Sequence, residues 1–385
     1  MTSSVYDVII LGAGSVGNPA ALAMAQQGMK VLVIDPAASA GQGSNKAAIG
    51  GIRATHSDPA KIRLCLRSLE IFSTWEETHG DDIEWQKGGY LFVAYTPREE
   101  RILKDLLVTQ QAHGLNIDWY GRDVLLRIAP GLNAAGLIGG TFAPDDGSAS
   151  PLLSAHAFWK QAVRRGVEYR FRERPVAIAV EGGRVRGVRT DLGEYAADVV
   201  VNAAGGWARE VAQLGGTDVP VKPDLHEAAI TEPVAPFLGP MVVDVRPAPG
   251  SSNYYFYQLK TGQVIFCITP SPQIWGSDRS ETSQFLPMVA RRMVDLMPRL
   301  APLRVRRTWR GFYPMTPDGS PVVGWAPEVD GFLQAVGMCG QGFMLGPGVG
   351  ELLARMVAGN LSAEDEEVLE ILSPERAYAG QELLK

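Results

Sequence analysis

Six residues near the start of the chain, Gly12-Ala-Gly14-Ser15-Val16-Gly17, have the GxGxxG spacing that lets a backbone approach a pyrophosphate. The first glycine makes a tight turn, the second admits the phosphates, and the third lets helix and strand pack closely. The helix that follows offers free N–H groups and partial positive charge at its N-terminus. Asp35 closes the next apolar strand 23 positions after Gly12, near the spacing of about 20 expected for an acid that hydrogen-bonds an adenosine ribose. An acid there disfavours a 2′-phosphate. The group implies a dinucleotide site. A second glycine-rich stretch, GMCGQGFMLGPGVGE at 337–351, also runs into a helical pattern, ELLARMVAG.

These loops need elements to hold them. Tyr6–Leu11 reads as a buried strand, GAGSVG turns it into a helix through about Gln27, and Gly28 suits its stop. Val31–Asp35 is a second strand, so the unit is βαβ and the sheet parallel. A Gly/Ser/Ala-rich loop (Pro36–Gly51) and a helix over Pro59–His79 follow. Thr96–His113 predicts a helix with acids in its first turn, and Ser150 with Pro151 starts another. Short strands with Gly turns then return as the buried strand of ADVVVNAAGGWA (197–208). NYYFYQL and GQVIFCIT read as strands, Ser283–Leu296 as a helix, and GFLQAVG as a strand before the second glycine-rich loop.

The chain has 385 residues, 46% hydrophobic and 20% charged, as in globular proteins of two joined domains. A net charge of −6 gives nucleic acid no electrostatic footing. Three scattered cysteines form no CxxC or Cys/His cluster, so neither a zinc site nor a disulfide framework is expected, and no metal is assigned. No basic segment precedes the first apolar run, and no run approaches the roughly 18–20 residues of a membrane span. We expect a cytoplasmic protein without a cleaved leader.

GAGSVG, GSNKAAIGGIRATHS, DVVVNAAGGWA, GFYPMTPDGSPVVG and GMCGQGFMLGPGVGE, in that order, resemble the D-amino acid oxidase superfamily of FAD enzymes. They are most similar to the sarcosine oxidase branch and to the β subunits of sarcosine oxidase and L-proline dehydrogenase. The resemblance implies an α/β protein: a Rossmann-like FAD-binding domain (1–87, 147–220 and 311–385) interleaved with an α+β, mixed β-sheet substrate domain (88–146 and 221–310). It implies FAD-dependent oxidation of a C–N bond in a secondary amine or amino acid, with hydride transfer to the flavin N5 and hydrolysis of the imine. Cofactor contacts are implied at Gly12, Gly14, Ser15, Val16, Gly17, Asp35 and Pro36. Further contacts fall at Ser44, Lys46, Ala47, Val176, Ala204, Gly205, Trp207, Gly311 and Asp318. The last group is Gly340, Gln341, Gly342, Phe343 and Met344. There glycine permits close approach, and the helix N-terminus supplies positive potential to a reduced flavin.

Arg53 matches the branch's carboxylate-binding arginine; a guanidinium pairs bidentately with a carboxylate. Met344 stands where the monomeric sarcosine oxidases carry a second cation, a lysine, and Tyr313 where glycine and D-amino acid oxidases carry an arginine. One cationic anchor is therefore missing, and two expectations follow: Arg53 with Tyr313 or another hydroxyl holds the substrate, or the substrate carries no simple α-carboxylate. Gly311 occupies the position of a flavin-linking cysteine, so FAD is expected to be non-covalent. His56 follows Arg53 closely and is a candidate near the flavin ring. The strand GQVIFCIT lacks the lysine of the oxidases, which favours a dehydrogenase with another electron acceptor. In NYYFYQL, Tyr255 and Tyr257 share one face and Tyr254 and Phe256 the other, so Tyr255 can wall an amine pocket. Two other readings are a flavin-binding β-type subunit, inactive without its hetero-oligomeric partner, and an FAD-dependent hydroxy-acid or glycerol-phosphate dehydrogenase.

Overall fold

The computed structural model describes residues 5–384; residues 1–4 and 385, assigned by sequence to the first domain, lie outside the described residues. Continuous apolar runs form the centre of one sheet, because its strands are covered on both faces, by helices on one and largely by a β-meander on the other, and have no polar side to present. Its order is Val322–Trp325, Phe332–Val336, Glu194–Asn202, Val5–Leu11, Val31–Asp35, Glu168–Phe171. All neighbours pair parallel except the first two strands. A meander, Pro175–Glu181 and Arg184–Thr190, pairs antiparallel beside it.

Helices Gly17–Gln26, Pro59–Ser73, Pro151–Arg164 and Gly342–Ala358 contribute to the core cluster on one side of that sheet. The expected helix over 59–79 is two, Pro59–Ser73 and Trp75–His79. Thr74 between them turns its hydroxyl back to the Glu70 carbonyl (2.8 Å), the local competition that ends helices at threonine. The second glycine-rich stretch is largely helix. A Cβ at Gly346 would lie 1.8 Å from the Ser15 carbonyl, so this helix seats directly on the GAGSVG turn. Pro347 lies inside the helix, and the next N–H, of Gly348, donates to Ser68 Oγ at 2.9 Å.

The second sheet runs Val305–Met315, Lys222–Thr231, Val264–Pro270, Ser251–Gln258, Met241–Asp244, Tyr90–Ala94, Gly139–Ala143, Asp118–Gly121. It is mixed: only Met241–Asp244 and Tyr90–Ala94 are parallel. The sequence boundary at 311 falls inside the strand Val305–Met315, which pairs with Lys222–Thr231 along its length. The helix Phe285–Leu296 covers one face with Tyr254, Phe256 and Phe266. Tyr257, Tyr90 and Phe92 lie in a separate cluster with Tyr255 packed against it, the alternation expected of NYYFYQL. Among the described residues, no helix is long and apolar enough to cross a membrane.

Candidate active site

Between the two sheets lies a cavity of about 710 Å³. Gly12, Gly14, Ser15 and Val16 line one end with Asp35 and Pro36. Asp35 accepts the N–H groups of Ala13 (2.7 Å) and Ala37 (2.8 Å), which fixes the acid at the strand end. Burial raises its pKa, and those two hydrogen bonds oppose the rise. A carboxylate has about four lone-pair sites, so Asp35 can still accept from a ligand hydroxyl. The helix Gly17–Gln26 has no side-chain cap and no acid in its first turn, so its positive end favours an anion, although the Asn18 N–H already donates to the Gly14 carbonyl (3.1 Å).

Ser44, Lys46 and Ala47 line the middle, facing Ala204, Gly205 and Trp207. Ser44 Oγ and Asn45 Oδ1 are buried without a hydrogen-bond partner. Unpaired buried polar atoms are costly unless a ligand satisfies them, so this wall suits a polar, extended molecule.

The far end is roofed by one face of the mixed sheet. Asp224 pairs with Tyr313 and His226 with Gly311 across one strand pair; Ala228 pairs with Cys267, and Cys267 with Tyr255. Strand alternation puts such partners on a common face. The Tyr255 and Tyr313 hydroxyls meet at 2.6 Å. His226 stacks on the Tyr313 ring, with centroids 3.6 Å apart and planes 11° apart. Burial pushes both tyrosine pKa values up, so both phenols stay protonated; one donates to the other and one proton is left over. Gly340, Gly342, Phe343 and Met344 form the opposite wall. Gly340 has φ +81°, and a Cβ there would meet the Tyr313 ring at 2.1 Å, so only glycine lets this loop pass under the tyrosine. The helix Gly342–Ala358 also begins without a side-chain cap or an acid in its first turn.

Several expected site residues lie elsewhere. Arg53 does not line the cavity; it is 5% exposed. Its guanidinium donates to the carbonyls of Thr55 and Leu384 and sits over the Phe92 ring. This departs from the expected carboxylate anchor, because the 382–384 segment folds back onto the arginine. His56 is fully buried, with Nδ1 3.3 Å from Arg53 and Nε2 3.4 Å from Cys65 Sγ. Burial, with Arg53 beside it, holds its pKa well below the ordinary range, so it is a neutral core group. Gln341 is buried and accepts from Lys61 at 3.3 Å. Asp318 binds Arg376 at 2.7 and 3.1 Å, holding the segment after the last helix. Val176 is 40% exposed on the meander; its neighbours Arg174 and Pro175 line the cavity instead. Gly17 is a packing residue, since a Cβ there would lie 1.8 Å from the Gly12 carbonyl.

Asp224, His226, Cys267 and Arg279 were not singled out by sequence. The alternation in KPDLHEAAIT was the available signal for Asp224 and His226, but it does not tell which face meets a ligand. A buried ion pair, Lys61–Glu382 at 2.6 Å, also joins residues too distant in sequence to connect. Among the described residues, no group of three or more His, Cys, Asp or Glu could hold a metal.

The comparisons agree with this geometry. The family model described as DAO, FAD dependent oxidoreductase, matches residues 7–356. The chain is 29% identical over 306 residues to the hydrogen cyanide synthase subunit HcnC of Pseudomonas aeruginosa, covering 78% of this chain and 71% of that one. It is 25% identical to glycine oxidase of Bacillus licheniformis, covering 92% and 94%. The structure of L-proline dehydrogenase from P. horikoshii superposes with a TM-score of 0.90 at 28% identity, covering 97% of this chain and 98% of that one.

Proposed function

Because the chain belongs to the family of FAD-dependent oxidoreductases, we propose that it oxidises the C–N bond of a secondary amine or amino acid, sarcosine- or proline-like, to an imine that water hydrolyses. The observation that carries this reading is one continuous cavity. It runs from a dinucleotide fingerprint to a roofed chamber where Tyr255, Tyr313, His226 and Met344 converge. The likeness to L-proline dehydrogenase over nearly the whole chain supports it.

The residues fit FAD, held non-covalently. The GAGSVG turn and its helix N-terminus hold the pyrophosphate, and Asp35 the ribose. Ser44 and Asn45 satisfy polar groups along the way, and the Gly340–Phe343 loop with its helix N-terminus meets the flavin. When bound, FAD supplies the two-electron acceptor. The protein binds, orients and excludes water. In the Tyr255–Tyr313 pair one hydroxyl donates to the other, and the remaining phenolic proton is offered to a substrate carboxylate where other family members place a cation. The apolar wall of Met344 and Phe343 shields the reacting carbon.

The absence of a lysine from Val264–Pro270 favours a dehydrogenase over an oxidase. A second reading, a flavin-binding β-type subunit that needs a partner chain, is favoured by the likeness to HcnC, itself a hydrogen cyanide synthase subunit.

Anaerobic bleaching of the flavin's visible absorbance by a panel of amines, amino acids and hydroxy acids tests the proposal. Bleaching by a secondary amino acid supports it. Bleaching by hydroxy acids alone sinks it, and inertness until a partner chain is added supports the subunit reading.

A further inference from the structure

Arg279 lines the cavity from a loop, 271–284, that joins the strand Val264–Pro270 to the helix Phe285–Leu296. The loop is tied to the mixed sheet on both sides of Arg279. The Leu225 N–H donates to the Ile274 carbonyl (2.9 Å), and the Gly276 N–H to the Pro223 carbonyl (3.1 Å). Thr282 donates to Glu227 through its N–H (2.6 Å) and its hydroxyl (2.7 Å). Arg310 Nη1 donates to the carbonyls of Asp278 (3.4 Å) and Ser280 (3.2 Å), the two that flank Arg279. The backbone under Arg279 is therefore held. Its side chain is exposed and in no ion pair among the described residues.

Phe312 fixes where that cation stands. The guanidinium lies 5.3 Å from the centroid of the Phe312 ring. The ring meets Trp207 edge-on, with centroids 5.5 Å apart, and a Cβ on Gly206 would lie 3.2 Å from it. Successive side chains of a strand point to opposite faces, so Phe312 faces away from Tyr313, and Arg279 goes with it. Arg279 thus stands outside the substrate chamber, beside the wall of Ala204, Gly205 and Trp207. Lys46 comes to the same stretch. A Cβ on Gly311 would lie 2.6 Å from that of Ala47, and the Trp309 indole donates to the Ala47 carbonyl (2.9 Å). Next to Lys46 in the chain are the unpartnered Ser44 Oγ and Asn45 Oδ1. The cations of the lining, Lys46, Arg174 and Arg279, outnumber its carboxylates, Asp35 and Glu210, and none of these cations is in an ion pair among the described residues. Such a stretch calls for an anion.

We propose that Arg279 is a latch on the pyrophosphate of the dinucleotide. The GAGSVG turn holds the phosphates from the parallel sheet, and Arg279 grips them from the mixed one. A guanidinium fork matches phosphate oxygens bidentately. The contact ties the 271–284 loop to a cofactor seated on the other sheet, so the cofactor leaves only when Arg279 lets go. The inference rests on the FAD reading of the cavity and adds to it a residue from the segment that the sequence assigned to substrate binding.

The test uses the full chain stripped of FAD, with FAD titrated back and its release followed by flavin fluorescence. Arg279→Gln should raise the FAD dissociation constant about tenfold, mostly through faster release. Arg279→Lys keeps the charge but loses the fork, and should fall between. The difference from wild type should shrink as salt rises from about 0.05 to about 0.5 M, because an exposed ion pair is screened. ADP, which carries the pyrophosphate without the flavin, should compete for the site less well in Arg279→Gln, in the same proportion. Arg306→Gln removes an exposed arginine outside the cavity lining and should leave FAD binding unchanged. Equal FAD affinity and release in wild type and Arg279→Gln overturn the assignment, and so does an equal loss in Arg306→Gln. Unchanged FAD binding with a raised KM for carboxylated substrates places Arg279 at the substrate and overturns it too. A wild-type chain that takes up no FAD overturns the cofactor reading and this inference together.

Discussion

The hydroxyls of Tyr255 and Tyr313 lie 2.6 Å apart although two strands separate theirs in the sheet. Both side chains lean over the same face, and Tyr313 is pinned from below by His226 and from the side by Gly340. The pair is therefore pre-positioned, which is what a binding group needs to act without losing side-chain entropy.

Tyr313→Phe keeps the stacking ring and removes the donor. A hydrogen bond to a charged group contributes about 1.5–3 kcal/mol, so KM for a carboxylated substrate should rise about 10- to 100-fold. An amine without a carboxylate should be little affected. Equal losses for both substrates would place the carboxylate elsewhere.

Asp35→Ala removes the acceptor for two backbone N–H groups and for the ribose. FAD affinity should fall about 10- to 100-fold, on the order of 1–3 kcal/mol. Cofactor retained after gel filtration and titration of FAD into the stripped protein both measure this. Unchanged affinity would remove Asp35 from the cofactor site.

Arg53→Ala should act on the fold more than on the substrate, since its guanidinium binds the Thr55 and Leu384 carbonyls. We expect the unfolding free energy to fall by about 1–3 kcal/mol, read as a lower urea midpoint, and a smaller change in KM than Tyr313→Phe gives. A KM effect larger than that of Tyr313 would restore the arginine as the carboxylate anchor.

Lys61 and Glu382 form a buried pair at 2.6 Å, and Ser57 also donates to Glu382 through its N–H (3.0 Å) and hydroxyl (2.6 Å). Burial pushes the Glu382 carboxyl up, but Lys61 and the Ser57 hydrogen bond together hold it far below its ordinary range. A carboxyl with a depressed folded pKa stabilises the fold above its unfolded value, about 4.3. That stability is lost as pH falls from there towards the folded value. Glu382→Gln should flatten the stability–pH curve in this acid window. Lys61→Met should cost about 3–5 kcal/mol at neutral pH, because it leaves a buried charge unpaired. Chemical denaturation at several pH values distinguishes the two.

The cofactor end of the site was legible in the sequence because it is local. GAGSVG, the strand before it and Asp35 fall within one βαβ unit, and their spacing is set by helix and strand geometry alone. The helix after Gly340 and the alternation of Tyr254–Tyr257 were readable for the same reason. Arg53 shows the limit: its motif is local, but its surroundings come from Leu384, 331 residues away. The substrate end had no such motif. Asp224, His226, Tyr255, Cys267 and Tyr313 sit on four strands and become one surface only through sheet register. Sequence alone determined which cofactor class the chain is built to hold, since short-range backbone geometry encodes that. Only the tertiary structure decided which side chains face the cavity, since pairing between distant strands selects the face, and packing by a remote segment keeps Arg53 out of its lining.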